Sequence, residues 1–254
     1  QKSGGNLRDP MRIQGALLYG LEKARDGDGH LYLETEVLLK SALLLLNETI
    51  LSPAMRVTPK EVESTLEQMI LTNVLASNKG NIYLPYQYLQ ESETACLVVQ
   101  KVMEPTEPPA NLASVLERIR GQLGITLSKR QHEGVMMAFS RNLSIITGGP
   151  GTGKSTILKA VIEAYRILYP DSKIRLGAPT GKASRRMAET TGIADAQTLH
   201  SLLGLHGDES VWQKPPAKLE ADLLIVDESS MMGMSLTYQL FIRVRPNTRI
   251  LLVG

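Results

Sequence analysis

The stretch "IITGGPGTGKSTILKAVIEAY", residues 145–165, constrains this chain more than any other. An apolar run, "LSIITGG" (143–149), leads into "GGPGTGKS" (148–155), and an amphipathic stretch follows from 154 to 168. The order is strand, loop, helix, and the loop fits G-x-x-x-x-G-K-[ST]. A polyphosphate has no apolar surface to grip, so it must be held by many inward-pointing backbone N–H donors. Gly148, Gly149, Gly151 and Gly153 permit the backbone angles and close approach that this requires. Pro150, Thr152 and Thr156 complete the nucleotide-binding stretch. The helix that follows directs its positive end at the phosphates. Lys154 adds a cation for the β- and γ-phosphates, and Ser155 offers a hydroxyl to Mg²⁺.

A second element answers the first. "LLIVDES" (223–229) carries four apolar residues that deliver Asp227 and Glu228 to the carboxyl end of a strand, 73 residues beyond Lys154. Ligands sit at that edge of a parallel sheet. Asp227 is the expected Mg²⁺ ligand, directly or through water. Glu228 is the candidate base that orients and deprotonates an attacking water. Lys154, Asp227 and Glu228 are thus the candidate catalytic residues, with ATP and Mg²⁺ as cofactors. Two further buried runs, "IRLGAPT" (174–180) and "RILLVG" (249–254), alternate with helical stretches at 181–190 and 234–243. The alternation predicts an α/β fold with a parallel sheet covered on both faces.

Residues before the loop read differently. "EPTEPPAN" (104–111) holds three prolines in eight residues, and a linker over 105–111 is expected there. It divides an accessory domain, 1–104, from an α/β domain, 112–254. In the accessory part, helical spacing is expected over 11–26, 34–48 and 58–77, with a short strand at "HLYL". Thr58, Pro59 and Glu61 form a helix-start signal. Two short strands are expected around Asn78-Lys79-Gly80-Asn81. Three helices and a hairpin outline a winged helix; the plainer alternative is a small helical domain that touches no nucleic acid.

Charge follows the same division. Residues 1–109 hold 10 Lys and Arg against 14 Asp and Glu, while residues 110–254 hold 18 against 12. The basic half points to a polyanionic partner. Cys96 is the sole cysteine, which excludes an internal disulfide and suits a reducing compartment. His30, His132, His200 and His206 show no zinc-ligand spacing. No apolar run approaches the roughly 18–20 residues that span a membrane.

With these elements in place, a resemblance becomes visible. "LSKRQHEGVMMAFSRNLSIITGGPGTGKST", "APTGKASRRMAETTG", "TLHSLLG" and "LLIVDESSMM" follow one another as in superfamily-1 DNA helicases. The order most resembles the RecD-like, 5′-to-3′ branch. "RIQGALLYGLEKARDGDGHLYL" is similar to the accessory region preceding the motor in stand-alone bacterial RecD-like helicases. The resemblance implies a RecA-like P-loop NTPase lobe behind a small, mainly helical, winged-helix-like domain. It implies a bacterial, cytoplasmic, nucleoid-associated enzyme acting on single-stranded and forked DNA in repair or recombination.

It also assigns roles. Gln131 would read the adenine edge, a task that suits an amide able to donate and accept. Pro179, Thr180, Gly181 and Lys182 match the first single-strand-binding motif. Lys173, Arg175, Lys182, Arg185 and Arg186 are expected to form one basic cluster without an intervening acid. His200 matches another DNA-proximal motif; a satisfied core histidine is the alternative. Trp212, in "GLHGDESVWQKPPAK" (204–218), would stack on a base near the duplex junction or pin a hairpin to the domain.

Helicases of this type continue past the fourth strand with Gly-Asp-x-x-Gln and a second lobe that supplies an arginine finger. The expectation is therefore a fragment, consistent with a start at "QKSGG", that binds nucleotide but is a poor motor alone. Competing classes share only part of the pattern. A kinase needs an arginine-bearing lid and an acceptor pocket. A clamp-loader-like or signalling ATPase would lack the Gln131 segment and the "APTGKA" strand end. A binding module would rely on residues 1–105 alone. No nuclease signature is present.

Overall fold

The structure is a computed structural model that describes residues 6–205 and 217–254. It comprises two compact units, one ending at Ser92 and one beginning at Glu93.

The first unit opens with helix α1 (Pro10–Asp28), capped by the Asp9 carboxylate accepting from Met11 N at 2.9 Å. Strand β1 (Tyr32–Glu34), helix α2 (Thr35–Asn47) and helix α3 (Pro59–Leu71) follow. The predicted start of α3 is realised as a capping box: Glu61 accepts from Thr58 N at 2.7 Å, and Thr58 Oγ1 accepts from Glu61 N at 3.4 Å. The helix stops six residues before the sequence pattern suggested. Asn73 turns to φ 58°, a conformation asparagine tolerates, and residues 76–78 join a hairpin instead. Strands β2 (Ala76–Asn78) and β3 (Asn81–Tyr83) pair antiparallel, and β1 adds to the other side of β3. The order α1-β1-α2-α3-β2-β3, with sheet order β1-β3-β2, is that of a winged helix. Ile13, Leu17 and Leu21, Leu38, Ala42 and Leu46, and Val62, Leu66 and Met69 build its core at helical spacing.

Helix α4 (Pro85–Met103) carries the chain onward, and the division between units falls inside it rather than at the prolines. The reason lies in its last two turns. Leu97 and Val98 pack against the core of the second unit. Lys101 Nζ donates to the carbonyls of Arg245 (2.8 Å), Thr248 (2.7 Å) and Pro246. A buried ammonium holding three carbonyls is a structural clamp. The proline-rich segment is therefore a connection inside the second unit, leading to helices α5 (Leu112–Leu123) and α6 (Lys129–Ser140).

The parallel sheet comprises β4 (Leu143–Ile146), β5 (Ile174–Ala178), β6 (Gln197–Thr198), β7 (Leu223–Val226) and β8 (Arg249–Val253). Among the described residues its order is β4-β8-β7-β5-β6, and every pairing is parallel. Between strands run helices α7 (Lys154–Leu168), α8 (Gly181–Thr191), the single turn α9 (Leu199–Leu202) and α10 (Met234–Arg243). Alternation along the strands feeds two cores. Leu223 and Ile225 of β7, with Leu251 and Val253 of β8, pack with α5, α6 and α7. Leu224 and Val226, with Ile250, pack with α9 and α10. A four-residue strand buried on both faces reads as a continuous apolar run, as "LLIV" did. The two-residue edge strand β6 has no such run, and no apolar pattern announces it.

Candidate functional site

The carboxyl ends of β4 and β7, separated by β8, frame one cleft of about 450 Å³. Residues 148–155 form one wall, and Asp227 and Glu228 belong to the opposite one. The loop is fastened to β8: Gly148 N donates to Gly254 O at 3.2 Å, and Gly254 N donates to Ile146 O at 3.1 Å. Lys154 Nζ donates to the carbonyls of Gly149 (3.3 Å) and Gly148, which keeps the ammonium over the loop. Thr152 Oγ1 donates to Gly149 O at 2.8 Å. Ser155 is exposed at the cleft, whereas Thr156 sits behind it in the first turn of α7 and does not line it.

The N-cap of α7 is Gly153, at φ 84°. It has no side-chain oxygen, so the positive end of the helix is left to an anion. The backbone angle requires glycine, and a Cβ at this position would stand 2.1 Å from Gln131 Nε2 and displace that amide from the loop. Gln131 is the reason for the crowding. Its Oε1 accepts from Ser128 N at 2.8 Å, and its Nε2 donates to Thr152 O at 3.2 Å. It caps α6 and clamps the loop at once. A second hollow, of about 730 Å³, lies beside it and is bounded by Met137, Ile145 and Ile157 as well as Gly148 and Lys154.

At the opposite wall, Asp227 N donates to Gly177 O at 3.0 Å, continuing the sheet by one residue. Asp227 Oδ1 accepts from Glu228 N at 3.0 Å. Glu228 adopts φ 54°, ψ 34°, a left-handed conformation that a residue with a Cβ rarely takes. Such strain collects at functional positions, where surrounding structure enforces it. Ser155 and Asp227 bring a hydroxyl and a carboxylate to one cleft. Those are hard oxygen donors, which suit Mg²⁺ completed by water and phosphate oxygens.

The residues assigned to DNA lie in three places. Thr180 caps α8, its hydroxyl accepting from Ala183 N at 3.2 Å, with Pro179 and Gly181 half-buried beside it. Lys182 and Arg185 are exposed on α8. His200 is exposed on α9 beside fully buried Leu199, so it is not a core histidine. Trp212 lies outside the described residues.

The five cations do not form one patch. Lys173 and Arg175 sit at the opposite end of β5, where Lys173 Nζ meets Glu220 at 2.6 Å and Arg175 meets Asp195 at 3.0 Å. Proximity in sequence hid this, because five residues of strand separate the two ends. Arg186 departs in another direction: with Thr190 and Thr191 it lines the cleft shared by residues 148–155, Asp227 and Glu228. All three fall outside the residues expected at the nucleotide. Helical spacing held the signal, since Arg186 and Thr190 each follow a buried position, Ala183 and Met187, by three residues.

A glycine-rich loop and an acid pair at the carboxyl ends of two strands of a parallel sheet, one strand apart, define the lobe of a P-loop nucleoside triphosphatase. A family model described as an AAA domain matches residues 131–254. The ATP-dependent RecD2 DNA helicase of Deinococcus radiodurans is 34% identical over 100% of this chain and 35% of its own length. The RecBCD enzyme subunit RecD of Mycolicibacterium smegmatis is 35% identical over 50% of this chain and 27% of its own length. Along its whole length the chain is similar to RecD-like helicases of superfamily 1. It spans about a third of the length of these relatives. No described helix is long and apolar enough to cross a membrane.

Proposed function

We propose that this chain is the nucleotide-binding lobe of a DNA helicase that hydrolyses ATP with Mg²⁺, moves 5′ to 3′ along a single strand and opens forked duplex. The observation that carries the reading is the shared cleft of residues 148–155 with Asp227 and Glu228. The exposed Lys182, Arg185 and His200 support a single-strand face, and the names of the relatives support DNA as substrate. The direction rests on the RecD-like resemblance.

Loop amides and the Lys154 ammonium would hold the β- and γ-phosphates and stabilise the charge that builds as the terminal bond breaks. Ser155 and Asp227 would hold Mg²⁺, which supplies further charge neutralisation when bound. Glu228 would orient a water in line with the terminal phosphate and accept its proton. Gln131, already an amide donor and acceptor at the loop, would exchange one of those bonds for the adenine edge. A second lobe closing over the nucleotide would add an arginine and convert hydrolysis into stepping. The 254-residue chain alone is thus expected to bind nucleotide and hydrolyse it slowly.

Titration with a fluorescent ATP analogue tests the reading. Lys154→Ala should weaken binding about 10–100-fold, the loss of charge-assisted contacts to phosphate. Unchanged binding would remove the phosphate-loop assignment. Unwinding of tailed duplexes of both polarities, by a polypeptide carrying both lobes, tests the motor and its direction.

A further inference from the structure

The nucleotide cleft has a wall that neither the loop nor the acid pair provides. It is the middle of α8, which presents Arg186, Met187, Thr190 and Thr191 to the same space as Lys154 and Glu228. Met187 and Thr191 are buried, and the Thr191 hydroxyl donates to Met187 O at 2.8 Å. Arg186 and Thr190, one helical turn apart, edge that buried stripe and supply the polar surface of the wall. The loop wall already carries one cation, Lys154, and the acids carry two negative groups. A triphosphate with one Mg²⁺ retains net negative charge, most of it toward its terminal phosphate. A guanidinium on the third wall matches that charge with a planar fork of donors.

We propose that Arg186 is a binding residue for the terminal phosphate of the nucleoside triphosphate, contributed by α8 from within this lobe. The inference rests on the nucleotide reading above and extends it. It also gives α8 two jobs. Its N-cap is Thr180 and its first turn carries Lys182, the single-strand candidates, and its second carries Arg186. Arg185 and Arg186 are adjacent and both exposed, yet about 100° apart on the helix, and only Arg186 lines the cleft. A helix held by the terminal phosphate at one turn and by a phosphodiester backbone at another would register the loss of that phosphate on the DNA side.

The test compares ATP with ADP in equilibrium binding to the 254-residue chain, using wild type, Arg186→Ala, Arg186→Lys and Lys154→Ala. Arg186 is exposed, and the thermal midpoint of each variant verifies the fold. The expected result is an about tenfold loss of ATP affinity in Arg186→Ala with ADP affinity within twofold of wild type. Arg186→Lys, which keeps the charge without the fork, should lie between. Equal losses for ATP and ADP would overturn the terminal-phosphate assignment. So would no loss for either; in that case a weakened Lys154→Ala would show that the nucleotide reading itself stands. A wild-type chain that binds neither nucleotide would overturn both.

Discussion

The parallel sheet has two ends that handle charge in opposite ways. At the amino end of β5 and β7 the charged groups answer one another. Glu220 sits between Lys173 (2.6 Å) and Arg245 (3.2 Å), and Arg175 meets Asp195. The Asp222 carboxylate accepts from Lys173 N at 2.7 Å, and Lys101 closes the carbonyls of the loop before β8. At the carboxyl end, Lys154 turns to its own loop and Asp227 to the next backbone amide. Lys182, Arg185 and Arg186 meet no acid within 4 Å among the described residues, and Glu228 holds a left-handed backbone. One end is closed by its own partners, and the other keeps donors, acids and strain for a ligand. The difference teaches where to look for function in such a sheet: a charged residue is informative when its own fold leaves it unanswered.

The comparison breaks most severely at Glu228. If the acid at the open end is the base that activates water, Glu228→Gln should lower ATP turnover about 10²–10⁴-fold while ATP binding stays close to wild type. Single-turnover hydrolysis beside equilibrium binding separates the two. Equal loss of binding would make Glu228 part of the grip rather than of the chemistry.

A smaller effect is expected for single-stranded DNA, and here the two ends can be set against each other directly. Lys182→Glu should weaken binding several-fold and lower the salt slope of log K by about 1, as for loss of one phosphate contact. Lys173→Ala, at the closed end and engaged with Glu220, should leave both unchanged. Equal effects of the two changes would show that net charge governs DNA affinity rather than the face of α8.

How far these features could be read from the sequence depended on range. The loop, the DE strand and the bounds of α7 and α10 were legible because each is encoded locally, by apolar runs and glycine spacing. The capping box at Thr58 was legible for the same reason. A second one, Ser128 with Gln131, carries the same signature, although the resemblance assigns Gln131 to the adenine edge. What lay hidden depended on distant partners. Lys173 and Arg175 looked like neighbours of Lys182 until residues 195 and 220 met them. The last turns of α4 belong with the sheet because of Arg245 and Thr248, nearly 150 residues later, and no local pattern announces that. Glu228's backbone is likewise set by the strand end and the turn after it, since glutamate has no local preference for positive φ.

The smallest effect is expected at the closed end itself. Hydrogen bonding to Lys173, then to Arg245, holds the Glu220 carboxyl below its ordinary value of 4.5. A depressed folded-state value means the group stabilises the fold above the unfolded-state titration. That contribution is lost as pH falls through the folded-state value. Glu220 and its partners are exposed, so solvent and salt screen the pairs, and the gain is small. Glu220→Gln should therefore lower the thermal midpoint at pH 7 and low salt by no more than about 2 °C. The difference from wild type should shrink in high salt and vanish as pH drops below the ordinary carboxylate range. A larger loss, insensitive to both, would mean that the amino end is held by geometry around Glu220 rather than by its charge. The contrast between the two ends would then be one of packing.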